Sequence, residues 1–397
     1  MTTSDSTVIV GGARTPFGKF LGSLSGLAAQ DLGAMAIKGA LAAAGISGQQ
    51  VDHVVMGQVL TAGSGQLPVR VAATTAGIPM SVPALAINRM CLSGIDAITL
   101  AHQMIFSGDA DIVVAGGQES MSNAPHLLQG SRRGTKYGNT RLLDHLSFDG
   151  LQDAFTGQSM GALTDSRNAR YGVGRAEQDE FAAQSHIRAN RAFTAGLFAS
   201  EIVPVSVLGT GSTVVEVSRD EGVRPDTTGE GLSALLPVFD PNGTITAGNA
   251  SPISDGACAA VVMRKSVAER LGLPWLAEIL SRAVVAGPDS GLHEQPSNAV
   301  KKACGLIGLD PAALDLLEVN EAFAAIGIVS TRSLGVDADR VNVNGGALAV
   351  GHPIGVSGAR IALHLALELG RRGGGIGAAA LCGGGGQGQA LVLRAGR

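Results

Sequence analysis

Short runs of apolar residues alternate with amphipathic stretches along the first third of the chain. The runs at 8–12, 53–59 and 111–117 are almost continuously apolar, which predicts strands buried on both faces of a sheet. The stretches at 29–44 and 93–107 have the spacing of amphipathic helices. This alternation is typical of a layered α/β fold, so we expect helices on both sides of the sheet.

Part of this pattern occurs twice. Three pairs of segments match in the same order, the first two at offsets of 263 and 264 residues and the third after a small insertion: 44–58 with 307–321, 92–101 with 356–365, and 112–118 with 378–385. We infer two related α/β halves. In this superposition Asn88, which lies beside Cys91, corresponds to His352, and Gly117 corresponds to Gly384.

The sequence between the repeated parts has a different composition, rich in polar residues and glycine, which predicts loops wrapped over a scaffold. Within it, residues 175–193 have helical spacing. We therefore predict a first half made of residues 1–121 with 254–275, an inserted loop domain of residues 122–253, and a second half of residues 276–397.

Composition excludes several classes of protein. Of the 397 residues, 45% are hydrophobic and 16% are charged, a balance typical of a folded chain. Lys and Arg number 29 against 33 Asp and Glu, with no basic stripe, so we expect no nucleic-acid partner. The sequence has neither a membrane-length apolar run nor the pattern of a signal peptide, so we expect a cytoplasmic protein with no membrane partner.

Glycine and cysteine add two further expectations. The 57 glycines are about twice the usual share of roughly 7%, which indicates tight turns and close backbone approaches. The four cysteines form no CxxC pair and no zinc-like spacing with histidine, so we predict neither a disulfide framework nor a metal site.

Cys91 is a candidate nucleophile. It lies in the segment NRMCLSG, which directly follows the apolar segment VPALAI and leads into the helical stretch that begins at 93. The positive end of that helix is expected to favour the thiolate over the thiol. The alternative is a buried structural cysteine, which is the commoner role for a lone cysteine.

Three other segments place polar groups at turns. His352 lies in a glycine-dense turn, and although a lone histidine is more often structural, its side chain is the one best suited to proton transfer near neutral pH. Cys382 ends an apolar strand and precedes four glycines, whose bare backbone allows N–H groups to approach a ligand oxygen. Asn320 and Glu321 end another strand. If the halves pack about a pseudo-twofold axis, Cys91 and His352 face each other and one pocket contains all four segments.

Two glycine-rich or basic segments have competing interpretations. CGGGGQG resembles a dinucleotide-binding loop, but it ends the chain instead of opening a helix after the first strand, so we exclude that function. SRRGTK is either a solvated basic loop or a phosphate contact, and the sequence leaves both open.

Taken together, the motifs resemble those of the thiolases, of the acetyl-CoA acetyltransferase type, over essentially the whole chain. The segments that carry the resemblance are ARTPFGKF (13–20), NRMCLSG (88–94), GGQESMS (116–122), GNASPISDGA (248–257), EVNEAFA (318–324), NVNGGALAVGHPIGVSGAR (342–360) and CGGGGQG (382–388). The resemblance implies a five-layered αβαβα thiolase fold, with two similar α/β halves and an inserted loop domain that binds coenzyme A. It also implies a homo-oligomer, either a dimer or a tetramer.

The resemblance also implies a role for each candidate residue. Cys91 would take the acyl group as a thioester, His352 would accept the proton of Cys91, and Cys382 would act as acid and base on the second acetyl group. Asn320, through a water, and His352 would form one oxyanion hole, and the N–H groups of Cys91 and Gly384 would form the other.

For the substrates, acyl-CoA and CoA, the resemblance places Ser251 near the pantetheine and Arg224 near the nucleotide. A solvated loop arginine is an equally good interpretation of Arg224 from the residues alone. The chemistry of a thioester requires no cofactor besides these substrates.

Three departures from the family pattern bear on the substrate, and the first of them leaves the acyl chain length open. Ser159 stands where many short-chain members carry histidine, Pro252 follows Ser251 where glycine is common, and Gly383 replaces a larger apolar residue. We therefore expect reversible cleavage of acetoacetyl-CoA by CoA, with a longer-chain 3-ketoacyl-CoA thiolase as the alternative. A ketoacyl synthase is disfavoured by Cys382, and a non-catalytic carrier of acyl-CoA or lipid by the presence of both cysteines.

Overall fold

The computed structural model describes residues 6–209, 211 and 213–396, and its dominant feature is a ten-stranded sheet. The strands of the described chain are β1 (Thr7–Arg14), β2 (Gly18–Lys19), β3 (His53–Gly57), β4 (Ala84–Ile87), β5 (Ile112–Ser120), β6 (His126–Leu127), β7 (Leu143–Asp144), β8 (Val205–Leu208), β9 (Val214–Val217), β10 (Ser254–Arg264), β11 (Ala277–Ala286), β12 (Leu316–Val319), β13 (Gly375–Gly383) and β14 (Gln387–Ala395). The sheet has the strand order β12-β13-β14-β11-β1-β10-β5-β3-β4, with β2 against β10.

The helices of the described chain alternate with these strands. They are α1 (Ala29–Ala44), α2 (Pro68–Thr75), α3 (Ser93–Ser107), α4 (Met160–Asn168), α5 (Arg175–Thr194), α6 (Gly229–Ser233), α7 (Lys265–Leu271), α8 (Gln295–Gly305), α9 (Ala324–Leu334), α10 (Ala347–Val350) and α11 (Ser357–Arg371).

The two halves share one continuous strand ladder. The first half contributes β1, β3, β4, β5 and β10, and the second contributes β11 to β14. They join where β1 pairs antiparallel with β11, from Thr7 opposite Ile279 to Ile9 opposite Ala277. The repeat in the sequence predicts two halves, but it does not predict this hydrogen-bonded junction.

Helices and half-sheets stack in five layers. Helix α1 packs on the outer face of the first half, and α8 packs on the outer face of the second. Helices α3 and α11 contact each other and strands of both halves, so they form the central layer. The apolar core between the halves includes Ile95 and Ile98 of α3 and Leu363 and Leu369 of α11. The expected αβαβα arrangement is therefore confirmed.

The predicted elements of the first half agree closely with the structure. Helices α1 and α3 have the predicted bounds, and each is followed by a glycine with positive φ: Gly45 at 67° and Gly108 at 86°. Strands β1 and β5 are buried throughout, as their apolar sequences predict. Strand β4 is partly exposed because it pairs only with β3, at the edge of the sheet.

The repeat is visible in matched hydrogen bonds. The Asp52 carboxylate accepts the backbone N–H groups of Asp111 and Ile112, both at 2.9 Å. At the matching position of the second half, the Asp315 carboxylate accepts the N–H of Ile376 at 2.8 Å. In both halves an aspartate just before a strand therefore secures the start of the neighbouring parallel strand.

Residues 122–253 lie outside the central sheet in the described part of the chain. Their strands form two separate hairpins, β6 with β7 and β8 with β9. Buried Arg14 of β1 anchors this segment through Glu201 and Asp220, with N–O distances of 2.7 Å to each. The proposed bounds of the inserted domain remain a prediction. Among the described residues, no helix combines the length and apolar character that a membrane crossing requires.

Candidate active site

A cavity of about 520 Å³ lies where the two halves and residues 122–253 meet. Its wall includes Cys91 from the first half and His352, Cys382 and Gly384 from the second. The inserted segment contributes Ser251 among others. The structure therefore brings together the turns that the sequence repeat placed opposite each other.

Cys91 lies between β4 and α3, two residues before the helix begins. Met90 has a positive φ of 51°, an unusual conformation for a residue other than glycine. The N–H groups of Gly384 and Cys91 hydrogen-bond the Cys91 sulfur. Burial nevertheless raises the pKa of Cys91 to about 11, and the charge of Glu119 adds to this. The expectation that the helix favours the thiolate is wrong, because loss of hydration outweighs the N–H donors.

His352 is held by its backbone and by its ring. Its N–H lies 3.2 Å from Ser254 Oγ and 3.4 Å from the Pro252 carbonyl oxygen. Its Nδ1 lies 2.6 Å from Ser357 Oγ, which in turn lies 3.2 Å from the Pro353 carbonyl oxygen. Burial, aided by the charge of Arg360, lowers the pKa of His352 to about 4. The imidazole is therefore neutral at pH 7 and able to accept a proton.

Asn320 follows β12 and is fully buried beside this imidazole. Its backbone N–H donates to the Ala380 carbonyl at 3.0 Å, and its Nδ2 lies 3.5 Å from both ring nitrogens of His352. Its Oδ1 has no hydrogen-bond partner within the described chain. The side chain therefore lies beside the imidazole, and Asn320 is not among the residues that line the cavity.

Cys382 is the second sulfur of the cavity. It lies one residue before the end of β13 and is almost completely buried. Burial raises the pKa of the Cys382 thiol, and the proximity of Cys91 raises it further. Cys382 therefore keeps its proton at neutral pH, which suits a proton donor.

Glycines allow the turn that carries His352 and Gly355 to pack closely against the first half. The carbonyl oxygen of Gly355 points at three glycines, Gly57, Gly94 and Gly117. A Cβ atom on Gly57 would lie 2.7 Å from this oxygen, and one on Gly117 would overlap it. The glycine richness of the sequence is explained here by a close approach of two backbones.

The two residues expected to bind CoA have different positions. Ser251 lies on the cavity wall, and its hydroxyl donates to the Ala322 carbonyl at 2.9 Å. Arg224 lies outside the cavity, with its Nη2 3.0 Å from Nε2 of His186 and its backbone N–H 3.2 Å from Nδ1. The structure therefore does not bring Arg224 together with the other predicted site residues.

Several residues of the site were not predicted from the sequence. The turn that carries His352 and Gly355 forms hydrogen bonds with Ser357, Ser254 and Glu119. The spacing of residues in the sequence does not reveal such contacts. Ser159, singled out as a departure from the family, caps α4 by accepting the N–H of Ala162 at 3.2 Å. Apolar side chains complete the wall: Leu151, Met160, Val238, Phe239, Leu292, Phe323 and Ile354.

Comparison with known proteins assigns the family. A family model described as "Thiolase, N-terminal domain" matches residues 7–266, and one described as "Thiolase, C-terminal domain" matches residues 273–395. The chain belongs to the thiolase family. This thiolase is 60% identical to a "Probable acetyl-CoA acetyltransferase" of Mycolicibacterium smegmatis, over 98% of this chain and 100% of the relative.

Two further relatives of this thiolase cover nearly its whole length. A "Probable acetyl-CoA acetyltransferase" of Mycobacterium tuberculosis is 57% identical over 100% of both chains. An "Acetyl-CoA acetyltransferase" of Cupriavidus necator is 48% identical over 97% of this chain and 98% of the relative.

Proposed function

We propose that this thiolase is an acetyl-CoA acetyltransferase, which cleaves acetoacetyl-CoA with CoA into two molecules of acetyl-CoA and catalyses the reverse condensation. The observation that carries the proposal is the meeting of Cys91, His352 and Cys382 in one cavity. The printed names of the full-length relatives support the same activity.

In the first half-reaction, neutral His352 accepts the proton of Cys91 as the sulfur attacks the 3-oxo carbon of acetoacetyl-CoA. The N–H groups of Cys91 and Gly384 stabilise the negative charge on the 3-oxo oxygen, which becomes the oxygen of acetyl-Cys91. Asn320, through a water, and His352 stabilise the thioester oxygen of the enolate that forms next. The bond between C2 and C3 then breaks, and its electron pair stays with the acetyl-CoA enolate. Cys382 donates its proton to that enolate, leaving acetyl-Cys91 and free acetyl-CoA.

In the second half-reaction, the thiol of CoA loses its proton to the Cys382 thiolate and attacks acetyl-Cys91. The N–H groups of Cys91 and Gly384, which already lie beside the Cys91 sulfur, stabilise the resulting oxyanion. Collapse releases acetyl-CoA, and Cys91 recovers its proton from His352. The cycle has ping-pong kinetics and uses no cofactor besides its CoA substrates.

The test is CoA-dependent thiolysis of acetoacetyl-CoA by the purified protein, with Cys91→Ala as the matched blank. We expect turnover by the wild type and a loss of at least about 10²–10⁴-fold in the variant. Full activity of Cys91→Ala would refute the role of the nucleophile. Binding of acetoacetyl-CoA without turnover would favour a non-catalytic carrier.

A second candidate function is thiolysis of longer 3-oxoacyl-CoA chains. A cavity of about 460 Å³ adjoins the catalytic one, and Met90, Met160 and Gly384 line both. Methionine side chains are flexible, so an acyl chain could displace Met90 and Met160 and extend into the second cavity. The same assay with a medium-chain 3-oxoacyl-CoA decides between the two: a higher kcat/KM for the longer substrate would indicate a β-oxidation enzyme.

We also propose a cytoplasmic homo-oligomer, a dimer or a tetramer, on the basis of family membership. Light scattering of the purified protein tests the assembly, and a stable monomer would refute it. Fractionation of the native cells, with the protein followed by antibody, tests the location.

A further inference from the structure

We propose that Glu119 is a positioning residue, which fixes His352 against Cys91 by binding backbone amides of both halves with a single buried carboxylate. The proposal rests on the proposed function, because it assigns Glu119 a part in bringing the nucleophile and its base together. Glu119 is the second-last residue of β5 and is completely buried.

The carboxylate of Glu119 accepts three backbone hydrogen bonds. Its Oε2 accepts the N–H of Val59 and the N–H of Gly355, each at 3.0 Å. Its Oε1 accepts the N–H of Leu60 at 3.0 Å. Val59 and Leu60 follow β3 of the first half, whereas Gly355 belongs to the second half and lies three residues after His352.

The backbone that Glu119 binds adjoins the catalytic wall, because Ile354, the neighbour of Gly355, lines the cavity. Val59 and Leu60 pack with Ile354, and Cys91 packs against the same apolar cluster. On the other side of Gly355, its carbonyl oxygen lies against Gly57 and Gly117. Gly355 is therefore held on both sides, its N–H by Glu119 and its carbonyl oxygen by the close approach of Gly57 and Gly117.

The charge of Glu119 also reaches the nucleophile. Burial raises the pKa of Glu119 to about 7, its three amide donors oppose that rise, and Asp255 adds to it. The ionised carboxylate in turn raises the pKa of Cys91. Loss of this charge should therefore change the titration of Cys91, whereas loss of a carboxylate remote from Cys91 should not.

Asp52 is a natural control on the same two strands. It lies just before β3 and accepts the N–H groups of Asp111 and Ile112, at the opposite end of the pair from Glu119. Asp52→Ala therefore removes a carboxylate that binds neighbouring backbone, but it leaves the His352 turn untouched.

The experiment compares Glu119→Ala, Glu119→Gln and Asp52→Ala in acetoacetyl-CoA thiolysis. We expect Glu119→Ala to lower kcat by about 100-fold with KM for CoA within about threefold, since misplacing a catalytic group by about 1 Å has that effect. The amide oxygen of Glu119→Gln still accepts from Val59 and Gly355, so this variant should recover most of the lost kcat. Asp52→Ala should keep the wild-type kcat.

A second readout follows the rate of Cys91 alkylation by iodoacetamide against pH, with peptide mass mapping. Loss of the negative charge should shift the profile of both Glu119 variants toward lower pH, and Asp52→Ala should leave it unchanged. If Glu119→Ala does not fold, Glu119→Gln alone still tests the proposal through this shift. A wild-type kcat in folded Glu119→Ala, or an unshifted profile in Glu119→Gln, would overturn it.

The two proposals fail in different ways. If the wild type does not cleave acetoacetyl-CoA, the proposed function fails, and the alkylation profiles still report whether Glu119 acts on Cys91. If the wild type is active and Glu119→Ala is equally active, the positioning role alone fails.

Discussion

The Nδ1 atom of His352 lies 2.6 Å from the hydroxyl oxygen of Ser357, at the first residue of α11. When that hydroxyl donates to the Pro353 carbonyl, its oxygen accepts a hydrogen bond from Nδ1–H, which leaves Nε2 as the basic nitrogen. The start of the central helix therefore determines which ring nitrogen is free to act as a base.

Replacing Ser357 by alanine should weaken this orientation. We expect Ser357→Ala to lower kcat for acetoacetyl-CoA thiolysis by about 10- to 100-fold with little change in KM, because ring placement and not substrate binding is affected. Steady-state kinetics check this, with Ser357→Thr as the control that keeps a hydroxyl. Equal activity of the alanine variant and the wild type would show that the hydroxyl does not orient the ring.

Loss of Cys382 should separate the two steps of the reaction. In Cys382→Ala, Cys91 and His352 remain and CoA can leave as the thiolate, so acetyl-CoA should still acetylate Cys91, although more slowly, while condensation should fall by about 10²–10⁴-fold. Mass mapping of the Cys91 peptide after incubation with acetyl-CoA measures the first effect, and acetoacetyl-CoA formation measures the second. Absence of acetyl-Cys91 would mean that Cys382 is also needed for acyl transfer.

The pKa of Cys91 predicts slow alkylation at neutral pH. An increase from the ordinary value of 9.0 to about 11 lowers the thiolate fraction at pH 8 by about 100-fold. The rate of iodoacetamide alkylation should therefore keep rising with pH beyond 9, where that of free glutathione has begun to level off. A plateau for Cys91 below pH 8 would instead indicate a stabilised thiolate.

The contact between Gly117 and Gly355 predicts a severe effect of a single methyl group. A Cβ on Gly117 would overlap the Gly355 carbonyl oxygen, so Gly117→Ala should destabilise the fold by about 1–3 kcal/mol and displace the His352 turn. Gly26→Ala is the control, since no atom lies within 4 Å of the added Cβ. Urea unfolding and thiolysis assays measure the two effects, and wild-type behaviour of Gly117→Ala would contradict the close approach.

The sequence predicts most of the fold because its signals there are local and redundant. Helix α1 combines an amphipathic spacing with Gly45 at its end, and β1 and β5 are continuously apolar. The junction between β1 and β11 has no such signal, because backbone pairing between distant strands leaves no spacing pattern. The edge position of β4 is likewise a property of the assembled sheet.

The site was predictable only where the sequence carries a pattern, as the internal repeat does. The repeat places Cys91 and His352 at equivalent turns, and the structure confirms that both line one cavity. The titration of Cys91 was predicted wrongly, because a helix end is visible in a sequence whereas the depth of burial is not. Glu119 and Ser357 were not predicted as site residues. Glu119 binds the backbone amide of Gly355 and Ser357 binds a ring nitrogen of His352, and these contacts form only in the folded chain.

Strand β1 is bonded on both sides, to β10 of its own half and to β11 of the other. Removing β1 would leave the backbone groups of both β10 and β11 unpaired along one edge. Each half therefore depends on the same strand to complete its hydrogen bonding. The chain should therefore melt as a single cooperative unit, with the amide protons of Val8 and Ile9 among the slowest to exchange with heavy water. Two halves that are related in sequence should therefore share one free energy of unfolding, because a single strand completes the hydrogen bonding of both.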